Sequence, residues 1–121
     1  MFKKILVTGA TGFMGHHIVP RLQEAWHDAE IFAVGRKDCN LLTPGEPDRL
    51  LREIKPDCVV HLAAKSGGII TNKKRPADFF YENIVMNTHT FEAAFRNGVK
   101  KFLTLMGGCS YPSKAASPIG E

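Results

Sequence analysis

The sequence predicts an α/β fold, a doubly wound parallel sheet, and three observations carry that reading. Short β-branched runs alternate with helical patterns along the 121 residues. The runs are nearly all apolar rather than alternating, as strands buried on both faces of a parallel sheet require. The connections are short, which suits right-handed crossovers between neighbouring strands.

Lys4–Thr8 is the first expected strand, ending where the glycines begin at Gly9. A helix is expected over Gly12–Trp26, and Pro20 inside it removes one backbone hydrogen bond, so a bend or an early end is expected there. Glu30–Val34 is the second strand, and Asn40-Leu41-Leu42 reads as a brief extra one. Pro47–Lys55 is the second helix and Cys58–Ala63 the next long strand. Over Asp78–Asn97, Phe80, Ile84, Asn87, Phe91, Ala94 and Phe95 recur at helical spacing, and Gly98 supplies the stop. Lys101–Met106 closes the series, giving four or five strands. There is no internal repeat and no low-complexity linker, so residues 1–121 form one unit with a single core.

Composition narrows the function classes. Apolar residues make up 44% and charged residues 23%, the balance of an ordinary globular domain. The net charge of +4 suits anionic phosphates, but Lys and Arg are scattered, so a nucleic-acid partner is not expected. Cys39, Cys58 and Cys109 form no CxxC pair, which points to a reducing, cytoplasmic compartment. Lys3 and Lys4 precede an apolar run that breaks at Thr8-Gly9, too short for a secretion signal, and no stretch has membrane-spanning length. His16, His17 and His61 lack ligand spacing with one another or with a Cys, so no metal is expected.

The chemistry lies in "TGATGFMG", residues 8–15. Gly9, Gly12 and Gly15 follow a strand and open a helix, the context required of a dinucleotide fingerprint. Gly9 permits the tight turn, Gly12 lets a pyrophosphate approach the backbone, and Gly15 lets the helix pack closely. The free N–H groups at Thr11, Phe13, Met14 and Gly15 and the positive end of the helix dipole then face the anion. The hydroxyls of Thr8 and Thr11 are placed to hold the turn or to touch phosphate. The fold expected is therefore the NAD(P)-binding Rossmann type.

The end of the second strand selects the cofactor. A carboxylate there binds the adenosine ribose 2′-hydroxyl and repels a 2′-phosphate. Here the strand runs into Gly35, Arg36 and Lys37, with Asp38 displaced, which favours NADP over NAD. Arg36 also has a planar guanidinium suited to stacking on adenine. The competing reading is a pair of solvated loop cations, with Asp38 contacting adenine.

These residues bring a family into view. TGATGFMG, the "HLAA" ending at Ala64 and the helix carrying Asn83 resemble the extended short-chain dehydrogenase/reductases, the nucleotide-sugar epimerases and dehydratases. "HLAAKSGGIITNKKRPADFFYENIVMNTHTFEAAF" and "GGCSYPSKAASPIGE" narrow the resemblance to the GDP-L-fucose synthases. Those enzymes are NADPH-dependent 3,5-epimerase/4-reductases of GDP-4-keto-6-deoxy-mannose. The resemblance covers essentially all of these residues but only the N-terminal third to two-fifths of such an enzyme.

The resemblance implies roles residue by residue. Gly9 to Gly15 would cradle the pyrophosphate, Arg36 would hold the 2′-phosphate, and Leu41 would lie against adenine. Ala63, Ala64 and Lys65 would flank the ribose and nicotinamide side. Cys109 matches the family's acid/base in epimerisation, a role that suits a thiol of lowered pKa; a small buried apolar cysteine is the competing reading. Asn83 matches a residue that is structural or part of a proton-relay framework, and the structural role is expected. Lys73, Lys74 and Arg75 lie near the family's substrate entrance, although a solvated loop is the simpler expectation.

Two departures bear on the reaction. The family carries a Ser or Thr two residues before the cysteine as a donor to the sugar 4-keto oxygen, and Gly107 stands there, so one oxyanion donor is missing. The family's Tyr-x-x-x-Lys pair, whose spacing puts phenol and ammonium on one helix face, has no match. Tyr81 is followed four residues later by Val85, and Tyr111 by Ala115. A fragment that binds cofactor without turnover is therefore expected, with an uncovered sheet edge, exposed helix faces and homo-oligomerisation. Two other readings stay open: another nucleotide-sugar epimerase or dehydratase, and a non-catalytic dinucleotide-binding module.

Overall fold

A computed structural model describes residues 2–107, 111, 112 and 114. The elements in chain order are β1 (Lys4–Thr8), α1 (Phe13–Ala25), β2 (Glu30–Val34), α2 (Glu46–Ile54), β3 (Cys58–His61), α3 (Ile69–Lys74), α4 (Pro76–Arg96) and β4 (Lys101–Thr104). The four strands form one parallel sheet in the order β2-β1-β3-β4. Lys4 pairs with Glu30 and Thr8 with Val34. On the other side Thr8 pairs with His61, and His61 with Thr104.

Side chains alternate across the sheet and divide the core in two. Ile5, Val7, Cys58 and Val60 face α1, where Ile18, Val19 and Leu22 cover them. Leu6 and Val59 face the other way and pack with Leu50, Leu51 and Ile54 of α2 and Ala93 and Ala94 of α4. Only β1 and β3 have the burial that near-continuous apolar runs predict. β2 and β4 each pair on one side among the described residues and are half-exposed. Leu103 on β4 and Leu105 and Met106 beyond it are exposed.

Asp57 locks the N-terminal end of the sheet. Its carboxylate accepts the backbone N–H groups of Lys3 and Lys4 at 2.9 and 3.1 Å, and the Lys100 ammonium donates to it at 3.0 Å. These bonds hold its pKa down at about 2.

Several expectations need correction. Asn40-Leu41-Leu42 is a turn, not a strand. Its backbone donors are used locally: the Asn40 N–H goes to the Glu46 carboxylate at 2.6 Å, and the Leu42 N–H to the Asn40 side-chain oxygen at 3.3 Å. The third and last strands end at His61 and Thr104, two residues early in each case. The early helix end at Pro20 does not occur: α1 continues through Pro20, on its exposed side, to Ala25. Lys73 and Lys74, expected in a loop, end the short helix α3, and Arg75 follows it as the C-cap residue.

The helix expected over Asp78–Asn97 is α4, and its two faces differ. The residues that recur at helical spacing do not share one environment: Phe80 is 71% and Phe95 83% exposed, whereas Ala94 is buried and the Phe91 ring stacks on Phe102 of β4 at 4.2 Å. The face against the sheet carries Thr90, Ala93 and Ala94, all buried. Small residues there let the helix lie close to Leu6 and Val59.

Candidate functional site

The sheet order reverses at β1. The chain first moves from β1 to β2 on one side, then crosses to β3 on the other. In open α/β sheets the crevice outside the strand ends at such a reversal is where ligands bind. A cleft of about 640 Å³ lies there, within the range of small-molecule sites. Thr8, Gly9, Thr11 and Gly12 line it from the loop after β1, and Arg36 and Leu41 from the segment after β2. Ala63, Ala64 and Lys65 line it from the segment after β3.

Two glycines decide how tightly this crevice closes. Gly9 has φ +69°, a conformation that costs any residue with a β-carbon. A β-carbon there would also lie 2.6 Å from the Ala63 backbone nitrogen. Gly15 is buried in the first turn of α1, and a β-carbon would collide with the Ala10 carbonyl. The close approach at Gly15 is therefore to the loop after β1 rather than to the strand.

The start of α1 is built for an anion. Gly12 is the N-cap residue, no side chain caps the helix, and its first turn contains no acidic residue. The Gly12 N–H is used in the turn, donating to the Gly9 carbonyl at 3.0 Å, while the following N–H groups of Phe13, Met14 and Gly15 belong to the first helical turn. Phe13, Met14 and Gly15 do not line the cleft with side chains; what they offer it is backbone. Phe13 is exposed and its ring meets His17 edge-on at 4.9 Å. The residues present fit a dinucleotide: a tight glycine turn, an uncapped helix start and a cleft crossing from β2 to β3.

On the β2 side, Arg36 is exposed at the cleft, and among the described residues it makes no ion pair. Asp38 turns back, its carboxylate accepting the Gly35 N–H at 2.8 Å. That bond removes the one carboxylate near the second strand's end from the position where it would meet a ribose hydroxyl. Cys39 forms part of the cleft wall, and burial first, then Glu46, pushes its thiol pKa up. Cys39 and Cys58 are both buried free thiols, as structural cysteines are.

On the β3 side, α4 fixes the backbone. The Asn83 side-chain oxygen accepts the Lys65 N–H at 2.8 Å, and its NH₂ donates to the carbonyls of Lys65 at 2.9 Å and Phe79 at 2.8 Å. The Lys65 ammonium is paired with Glu82 and lies 5.4 Å from the Phe79 ring centroid. Asn83 is thus structural in this arrangement, holding the wall that Ala63 and Ala64 begin.

Sequence reasoning missed a buried polar ladder beneath the glycine turn. The Thr8 hydroxyl lies 2.7 Å from His61 Nδ1, and His61 Nε2 lies 2.9 Å from the Asn87 side-chain oxygen. With Asn87 Oδ1 as acceptor, His61 donates from Nε2–H, and its Nδ1 accepts a hydrogen bond from the Thr8 hydroxyl. Burial lowers the His61 pKa, partly offset by the Asn87 bond. Thr8 is therefore committed to His61 and not to phosphate. No sequence spacing signals this contact, since His61 and Thr8 are 53 positions apart.

Gly107 is exposed, with nothing within 4 Å of where a β-carbon would stand. Cys109 lies outside the described residues. Lys73, Lys74 and Arg75 are exposed at the end of α3, and Arg75 is paired with Asp78. Among the described residues no three metal-ligating side chains converge, and no helix is long and apolar enough to cross a membrane.

Comparison with known proteins places this geometry. GDP-L-fucose synthase of Sinorhizobium fredii is 40% identical over 119 residues, covering 98% of this chain and 37% of that protein. A GDP-L-fucose synthetase from Naegleria fowleri, solved bound to NADP, superposes with TM-score 0.83 at 29% identity, over 98% of this chain and 35% of that one. A GDP-D-glycero-L-gluco-heptose synthase from Campylobacter jejuni, solved in the presence of NADPH, gives TM-score 0.83 at 28% identity, over 98% of this chain and 34% of that one. The chain thus spans little more than a third of the length of these relatives. Residues 5–121 match the NAD dependent epimerase/dehydratase family, and the chain belongs to that family.

Proposed function

We propose that residues 1–121 are the NADP(H)-binding portion of a nucleotide-sugar epimerase/reductase of the GDP-L-fucose synthase kind. The observation that carries this reading is the uncapped start of α1 with Arg36 beside it on the β2 side and Asp38 turned away. The backbone N–H groups at α1 would hold the pyrophosphate, and the Arg36 fork the 2′-phosphate. Leu41 would lie against adenine, and Ala63, Ala64 and Lys65 would flank the ribose on the nicotinamide side. The bound cofactor would supply hydride to a 4-keto sugar.

The sugar-side roles belong to the same proposal. Cys109 is the candidate acid/base for epimerisation, and a GDP-sugar the favoured substrate. Gly107, in place of a hydroxyl residue, favours a second reading within the class, another nucleotide-sugar reductase or epimerase with a different oxyanion donor. A non-catalytic dinucleotide-binding module is the remaining alternative. The cytoplasm is the proposed location, on the sparse unpaired cysteines. Homo-oligomerisation is proposed from the exposed apolar residues Phe80, Ile84 and Phe95 of α4.

Calorimetric titration with NADPH, NADH and GDP tests the reading. NADPH binding tighter than NADH binding is expected. Absence of dinucleotide binding contradicts the proposal, and NADPH binding with no GDP affinity in a chain extended by the remaining length of the relatives moves it to the module.

A further inference from the structure

Among the cleft-lining side chains, Lys65 and Glu82 are the one ion pair among the described residues with both partners at the cleft. Their side chains are 28% and 25% exposed, so the pair is partly desolvated and poorly screened. Lys65 cannot swing away as a unit, because Asn83 grips its backbone at both the N–H and the C=O. Phe79, Glu82 and Asn83 are spaced three and four apart on α4, which sets ring, carboxylate and amide on one helix face toward Lys65. The ammonium has three donors; one goes to Glu82, and its charge is compensated there.

The placement of the pair decides which part of a ligand it meets. Arg36 follows β2 and Lys65 follows β3, on opposite sides of the glycine loop after β1. Neighbouring strands lie about 5 Å apart, so the two cations flank the crevice at roughly 10 Å or more. A dinucleotide laid across it with its 2′-phosphate at Arg36 presents its far ribose and phosphate to Lys65.

We propose that Glu82 is an affinity-setting residue, which neutralises Lys65 and so limits the positive charge the cleft presents to the nicotinamide half of the cofactor. The inference rests on the reading of the cleft as an NADP(H) site. Glu82 acts through Lys65 as a positioning residue. With Glu82 neutral, the ammonium is left to the ligand; with Lys65 removed, the same carboxylate stands unpaired against an anion.

Two ligands separate this effect from a general loosening of the fold. NADPH spans both halves of the cleft, and adenosine 2′,5′-bisphosphate reaches only the Arg36 side and the glycine loop. Glu82→Gln is expected to tighten NADPH roughly threefold to tenfold and leave the bisphosphate unchanged. Lys65→Met is expected to weaken NADPH by a similar factor, again without affecting the bisphosphate. In Lys65→Met/Glu82→Gln part of the Lys65→Met loss should be recovered, because no unpaired carboxylate then faces the anion. An unchanged or weakened NADPH affinity in Glu82→Gln overturns the inference, as does a parallel shift of both ligands. If the wild-type chain binds neither ligand, the cofactor reading itself has failed. Binding of both without a Glu82 effect leaves that reading intact and removes this one.

Discussion

The α-carbon of Gly9 faces the backbone of Ala63 so closely that a β-carbon would come within 2.6 Å of the Ala63 nitrogen. One residue thus sets both the turn after β1 and its distance from the segment after β3. Gly9→Ala is expected to destabilise the fold by about 2–4 kcal/mol, from the left-handed backbone and the backbone collision together. Urea unfolding measures it; a loss under about 0.5 kcal/mol would mean that the crevice is not closed as described.

His61 gives a pH dependence with a definite sign. Burial depresses its pKa below the unfolded value of about 6.5, so the neutral form is the one the fold accepts. The unfolded chain then binds more protons in the window below about 6.5, and stability rises with pH there. The contribution is complete above about 6.5 and is lost as pH falls toward the folded pKa. Chemical unfolding at pH 7.5, 6.0 and 5.0 should show the decline, and His61→Gln should flatten it. The Asp57 contribution is separable: its pKa of about 2 places its loss well below that window, as pH falls from about 4.

Asn83→Ala removes the three hydrogen bonds that fasten Lys65 and Phe79, leaving partly buried backbone groups of Lys65 unpaired. A stability loss of about 1–3 kcal/mol is expected, together with weaker NADPH binding. Thermal unfolding with and without NADPH checks both. Unchanged NADPH affinity at reduced stability would place the grip outside the cofactor site.

Much of the architecture is legible in the sequence because it depends on local pattern. The runs at Lys4–Thr8 and Glu30–Val34 are strands as read, and the glycine spacing lands on a strand-to-helix turn. The face of α4 was only partly legible, because the stripe at helical spacing joins the buried Ala94 to the exposed Phe80 and Phe95. Packing distance, absent from periodicity, gives Thr90, Ala93 and Ala94 to the sheet. The Asn40–Leu42 turn was missed for a related reason: side-chain oxygens of Asn40 and Glu46 take the donors a strand would use. The Thr8–His61–Asn87 ladder joins three elements, and only the folded sheet register brings it together.

The central claim is that the cleft takes a 2′-phosphorylated dinucleotide at Arg36. Its most direct test is the ratio of NADPH to NADH affinity, measured by calorimetry on the wild-type chain and on Arg36→Leu. A wild-type preference for NADPH of about tenfold or more is expected, falling toward parity in Arg36→Leu with NADH affinity little changed. Equal affinities in the wild type, or a preference that survives the substitution, would contradict it.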